Sequence, residues 1–178
     1  MLNALITSQT RIKLLLKFFL NSRSSSYLRG LESEFGESTN AIRLELNRLE
    51  DAGLLDSYSQ GNKKMFKANT GHPLFPEINS IVMKMTGLDQ VLERVVMRLG
   101  ELKKVYVTGA FATGRDSDVI DLVFIGDHIE RTYLLGLIEK AEETIKRKIR
   151  YLIYNTSEYE LRKENLNENG LLIWEELS

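Results

Sequence analysis

The sequence predicts a mixed α+β protein in which three helices and a β-hairpin precede connecting helices and a small α/β unit. Three observations carry that expectation. Apolar residues recur at helical spacing from Ile12 to Leu49 and again from Ile78 to Leu99. Short apolar runs bounded by glycine begin at Lys104, as strands do. The only two prolines, Pro73 and Pro76, stand between these stretches, and proline pushes its predecessor out of the helical region. The expected division is 1–72, 73–100 and 101–178.

In the first part, Ser8–Leu20 places Ile12, Leu15, Leu16, Phe19 and Leu20 on one helical face, with Thr7 or Ser8 available as N-cap. Ser26–Phe35 reads as a second, short helix burying Leu28, Leu31 and Phe35, stopped by Gly36. Ser38 then caps a third helix to about Ala52, with Ile42, Leu46 and Leu49 inward. Gly53 ends it, Leu54 and Leu55 enter a strand, and Gly61-Asn62 is a two-residue hairpin turn.

If that inner face is right, Thr39, Asn40, Arg43 and Asn47 face outward on the third helix. Arginine matches guanine and asparagine matches adenine in the DNA major groove. Ser38 and Thr39, at a helix N-terminus, suit a phosphate. Lys63 and Lys64 at the hairpin tip are expected phosphate or minor-groove contacts. The same pattern also fits a solvated helix face and a charged turn.

The connecting segment carries two stripes. Ile78, Ile81, Val82 and Met85 form one, and Leu88, Val91, Leu92, Val95, Val96 and Leu99 form the other, with a break at Thr86-Gly87. They are either core or a dimer interface.

In the back part, strands are expected at Lys104–Gly109, Val119–Gly126 and Ile149–Tyr154, with a helix over Ile129–Arg147. Ser157 is the expected cap of a helix to about Leu166, and Gly170–Trp174 the last strand. The basic run Lys146–Arg150 reads as a solvated helix end, favoured by the macrodipole. Tyr151, Tyr154, Tyr159 and Trp174 read as core residues.

Composition excludes several classes. The 178 residues are 43% hydrophobic and 28% charged, as in ordinary globular chains. There is no cysteine, hence no disulfide, thiolate zinc site or thiol nucleophile. The two histidines, His72 and His128, lie too far apart to suggest a metal pair. The apolar stretch at Leu14–Leu20 includes Lys17 and falls well short of the roughly 20 residues that span a bilayer. With no charged-then-apolar leader, a cytoplasmic location away from membranes is expected. Residues 1–70 hold 10 Lys/Arg against 7 Asp/Glu, whereas the remainder holds 14 against 18. A mildly basic front and acidic back fit a nucleic-acid-binding module joined to something else.

The helix order, the turn of about three residues, the Ser-capped third helix, the exit Leu49-Glu-Asp-Ala-Gly-Leu-Leu55 and the basic hairpin give residues 5–70 a family likeness. This segment resembles the bacterial winged helix-turn-helix regulators of the ArsR and MarR type. The resemblance implies double-stranded DNA as partner, a third helix in the major groove and a hairpin on the backbone or minor groove. Such proteins commonly bind two half-sites, so a homodimer is expected.

Residues 101–178 resemble the minimal nucleotidyltransferase domain of the DNA polymerase beta superfamily. Gly109, Phe111, Gly114, Asp121 and Leu122 fall in register with its Gly-Ser turn and its Ser-Asp-x-Asp-Leu strand. In that family two carboxylates on one strand face hold Mg²⁺ against a triphosphate. Here Val119 replaces the first acid, Ala110 replaces the phosphate-binding serine, and Arg150–Tyr154 offers no third acid. The expected reading is therefore a DNA-binding regulator without cofactor or enzymatic activity, whose back domain serves sensing or assembly. The alternative is an active enzyme using Mg²⁺ and nucleotide with Asp116, Asp118 and Asp121, modifying a protein or RNA. Gly109, Ala110, Thr113, Arg115 and Asp121 form either a plain tight turn or a retained phosphate pocket for a nucleotide or other small-molecule effector.

Overall fold

Ser8 begins the first helix: its Oγ accepts the Arg11 N–H at 3.2 Å, and α1 runs Gln9–Leu15. These features belong to a computed structural model that describes residues 4–176, and the chain divides between Met85 and Thr86 into two units. The chain continues from α1 through a wider π-helical turn, Leu16–Leu20. The expected stripe of Ile12, Leu15, Leu16, Phe19 and Leu20 is buried. Leu14 and Phe18, on the opposite side, are buried as completely, so this helix is enclosed rather than one-sided.

Ser25–Tyr27 corrects the expected second helix. These residues form β1, which pairs antiparallel with the hairpin through Ser26↔Phe66 and Tyr27↔Met65. The ladder takes the backbone bonds that a helical turn would have used. Helix α2 therefore starts at Leu28 and runs to Phe35, ending at Gly36 with a left-handed φ of 64°.

Helix α3 spans Thr39–Asp51, and Ser38 caps it by accepting the Ala41 N–H at 3.2 Å. Ile42, Leu46 and Leu49 are buried as the spacing predicts, and Glu45 is buried with them. Strands β2 (Leu55–Gln60) and β3 (Lys63–Ala68) pair with Gln60 opposite Lys63, leaving Gly61-Asn62 as the turn. Helix α4, Phe75–Thr86, rests against the first helix. The Phe75 and Phe19 rings lie 5.6 Å apart, and Asn79 Nδ2 donates to the Phe19 carbonyl at 2.6 Å. Helix, strand, helix, helix and hairpin in this order make a winged helix-turn-helix.

The second unit begins with α5, Leu88–Arg94, followed by a 3₁₀ turn at Val96–Arg98. Leu88, Val91, Val95 and Val96 are buried. Four strands follow: β4 Lys104–Thr108, β5 Val119–Ile125, β6 Lys148–Tyr154 and β7 Leu171–Glu175. They lie in the order β6-β5-β4-β7. Strands β5 and β6 are parallel and are joined through α7, Arg131–Ile145, while the other pairings are antiparallel. A single turn of helix, α6 (Gly109–Ala112), leads from β4 towards β5.

Side chains alternate across this sheet. Val105, Val107, Leu122 and Phe124 are buried on one face. On the other, Tyr106, Val123 and Ile125 pack with Tyr159 and Leu166 of α8, Thr156–Asn169. The Tyr106 hydroxyl lies 3.0 Å from that of Tyr159 and 3.0 Å from Asn167 Oδ1. Helix α8 thus covers one end of that face and leaves Arg150 and Leu152 exposed at the other, with Asp121 partly exposed beside them.

Two further expectations change here. Asn155, not Ser157, caps α8 in a capping box with Glu158, and the helix continues to Asn169. The run Lys146–Arg150 begins at the C-cap of α7, as expected, with Lys146, Lys148 and Arg150 exposed, but it continues into β6 rather than ending the helix in solvent. Lys146 takes a left-handed φ of 57°, the chain turns into β6, and Arg147, Lys148 and Arg150 each meet a carboxylate.

Candidate functional site

The first unit holds a groove of about 570 Å³ between the start of α2, the outer side of α3 and the hairpin. Arg43 and Asn47 line it from α3, Lys63 and Lys64 from the hairpin. Sequence reasoning named these four. It missed Arg29, which enters from the first turn of α2, and Asn62 at the hairpin tip. Tyr27 also lines the groove, and Lys63 Nζ stands 4.2 Å from the centre of its ring, which ties the hairpin tip to β1. The signal for Arg29 was its place one residue inside a helix whose start the sequence set two residues early.

The remaining candidates sit at the N-terminal end of α3. Ser38 has its hydroxyl committed to capping, Thr39 is half-buried, and Asn40 is exposed. They lie outside the groove lining.

Three carboxylates anchor α3 and its flanks. Glu37, in the turn before α3, accepts from Lys13 Nζ at 2.6 Å and from the Thr10 hydroxyl. Glu45 takes Arg11 through Nε at 2.8 Å and through a second guanidinium nitrogen at 3.3 Å. Glu50, at the far end, accepts from Lys64 Nζ at 2.7 Å and from the Ser57 hydroxyl on β2. The Lys13 and Thr10 hydrogen bonds hold Glu37 below the usual carboxylate range. Burial opposes ionisation of Glu45, but hydrogen bonds from Arg11 and Ser8 and the charges of Arg11 and Arg48 outweigh it and lower its pKa. Bonds from Lys64 and Ser57 lower that of Glu50.

Lowered folded-state values mean that these groups stabilise the fold above the unfolded value of 4.5 and lose that contribution as pH falls through the folded values. The thermal midpoint of the first unit is accordingly expected to decline below that pH. Glu45→Gln should show a shallower decline, read by circular dichroism melts across an acid series. An identical slope in the variant would show that Glu45 contributes nothing to the pH dependence.

The second unit's candidate centre lies at the open end of its sheet. Thr108 pairs with Asp121, and Asp121 pairs across the parallel ladder with Arg150. Arg150 donates to both oxygens of the Asp121 carboxylate, from Nε at 2.7 Å and from a terminal nitrogen at 3.0 Å. Gly109 has a φ of +67°, and a methyl group there would lie 2.5 Å from Asp121 Oδ2. Gly109 and Asp121 are thus together.

Ala110, Thr113 and Arg115 group separately. The Thr113 hydroxyl donates to the Ala110 carbonyl at 2.8 Å, and Arg115 Nε donates to Thr113 Oγ1 at 3.2 Å. Asp116 is bound to Arg147 at 2.9 Å, and the Arg147 guanidinium lies 5.3 Å from the Phe111 ring centre. Asp118 is exposed.

These residues do not fit a catalytic divalent ion. A two-carboxylate magnesium site needs acids with free lone pairs on one strand face. Val119 supplies none, and a guanidinium already spans both oxygens of Asp121. Among the described residues no cluster of three or more acidic or histidine side chains is arranged to hold a metal. The sequence reading missed the Arg150 pairing, which the parallel register of β5 and β6 creates across 29 residues of chain.

No family model matches the chain, and no curated protein matches it. Among solved structures it is similar to a chain in the complex of tri-AMPylated Shewanella oneidensis HEPN toxin with MNT antitoxin, at 13% identity and a TM-score of 0.40, covering 53% of this chain and 74% of that one. It is also similar to reduced HlyU from Vibrio cholerae, at 16% identity and a TM-score of 0.37, covering 49% and 83%. A third is the transcriptional regulator BldR from Sulfolobus solfataricus, at 17% identity and a TM-score of 0.37, covering 53% and 68%. Among the described residues no helix is long and apolar enough to cross a membrane.

Proposed function

We propose that the protein is a transcriptional regulator that binds double-stranded DNA through its first unit, acting in the cytoplasm as a homodimer. The observation that carries this is the groove in which Arg29, Arg43, Lys63 and Lys64 converge with Asn47 and Asn62. Cations positioned along a concave surface track phosphates, and exposed Arg and Asn on a capped helix match guanine and adenine edges. Helix α3 would enter the major groove and the hairpin would follow the backbone.

The second unit serves in this reading as a nucleotidyltransferase-like module without metal chemistry, for sensing or assembly, with a small molecule or nucleotide as effector. The Asp121–Arg150 pairing supports the non-catalytic half of the proposal: the carboxylate's charge is already met by a cation of the chain itself.

Selection of random duplexes with the full chain, followed by mobility shifts across a salt series, tests the reading. Binding should weaken linearly in log affinity against log salt, with a slope near 0.9 per phosphate contacted. A chain that retains no duplex at low salt is not a DNA-binding regulator.

The rival is an enzyme transferring nucleotide to a protein or RNA through Asp116, Asp118 and Asp121. Incubation with Mg²⁺ and labelled nucleoside triphosphates is expected to leave the chain and added RNA unlabelled. Label that disappears in Asp121→Ala would overturn the non-catalytic assignment.

A further inference from the structure

Helix α3 has a complete inner face, yet one large apolar side chain stands on its other side. Ile42, Leu46 and Leu49 are buried, and Arg11 holds Glu45. Leu44 is 49% exposed. It follows Asn40 by one turn on the outward side of α3 and precedes Asn47 by nearly one turn, but it is not among the residues that line the groove. Asn40, Arg43 and Asn47 are exposed, and Arg43 and Asn47 line the cationic groove. About half of this leucine's surface is left uncovered by its own unit.

We propose that Leu44 is a specificity-determining residue that packs against the 5-methyl group of a thymine in the bound duplex. This rests on the DNA-binding reading above. The chemistry around it selects that occupant. Arg29, Arg43 and Lys63 line the groove as cations beside Lys64, which Glu50 already pairs, and such a surface suits a polyanion better than an apolar protein surface. Asparagine reads adenine, and the thymine paired with that adenine carries the major groove's one apolar group. Leu44 flanked by Asn40 and Asn47 therefore matches an A·T step, with amide and methyl contacts made to the two strands.

The experiment takes the duplex selected by the full chain and replaces each thymine in turn with deoxyuridine, which removes only the methyl group. At one position the wild-type chain is expected to lose about fourfold in affinity, the worth of one buried methyl. Leu44→Ala should bind the thymine duplex more weakly and be indifferent to that replacement. Leu44→Met, which keeps an apolar side chain of similar length, should recover the sensitivity. Matching thermal unfolding of the three proteins separates contact from folding.

A flat uracil scan in the wild type, or an undiminished uracil penalty in Leu44→Ala, overturns the proposal while leaving DNA binding intact. Failure to select any duplex overturns both.

Discussion

Arg43→Ala is expected to lower affinity for the selected duplex by about 5- to 150-fold and to relax base preference at one position. The range corresponds to about 1–3 kcal/mol for a good bidentate side chain–base pair. Arg43 is exposed on α3, lines the groove, and has no part in the buried face that holds the helix, so its loss should leave the fold unchanged. Lys63→Ala separates base reading from charge. Its ammonium sits at the hairpin tip over the Tyr27 ring, where a phosphate contact carries no sequence information. That variant should weaken all duplexes alike and reduce the salt slope by about 0.9. Titrations of both variants against the selected and scrambled duplexes check the pair of expectations. Equal losses on both duplexes for Arg43→Ala would remove it from base reading.

Gly109→Ala is expected to destabilise the second unit. The residue sits at a left-handed φ of +67°, where any other side chain costs about 1–2 kcal/mol. The added methyl would also meet Asp121 Oδ2 at 2.5 Å, so the carboxylate must leave its place against Arg150. Together these amount to about 2–4 kcal/mol, on the order of 10–20 °C in melting temperature for a unit of this size. The sole tryptophan, Trp174, lies on β7 of the same sheet and reports this unit without interference. Its fluorescence melt should shift down while affinity for DNA through the first unit is unchanged. An unmoved transition would mean that Asp121 yields freely and that the corner is not close-packed.

Much of the fold was legible because it is written locally. Ser38 announces α3 by its capping oxygen, Ile42, Leu46 and Leu49 mark its inner face by their period, and Gly61-Asn62 sets the hairpin by its length. The features that escaped depend on partners distant in sequence. Ser25–Tyr27 has no alternating pattern of its own and becomes a strand only because β3 passes beside it, some 40 residues later. Glu45 looks like a surface residue until Arg11 arrives from α1. Arg150 reads as part of a basic run, and only the parallel register of β5 and β6 brings it to Asp121. The candidate site divides in the same way. The α3 and hairpin residues followed from helical spacing and turn chemistry, whereas Arg29 and Tyr27 enter the groove from an element whose start is fixed by sheet pairing.

The ion pair between Lys64 and Glu50 gives the hairpin a built-in competitor for phosphate. A duplex that engages Lys64 must evict a carboxylate of the same chain, so the contact is an exchange of one anion for another. Such an exchange adds little to binding strength, and counting groove cations overstates how many act as attractors. On the proposed DNA-binding reading, removing Glu50 would convert this lysine from a balanced group into a net source of non-specific affinity, and the carboxylate would act as a brake on indiscriminate attachment to nucleic acid.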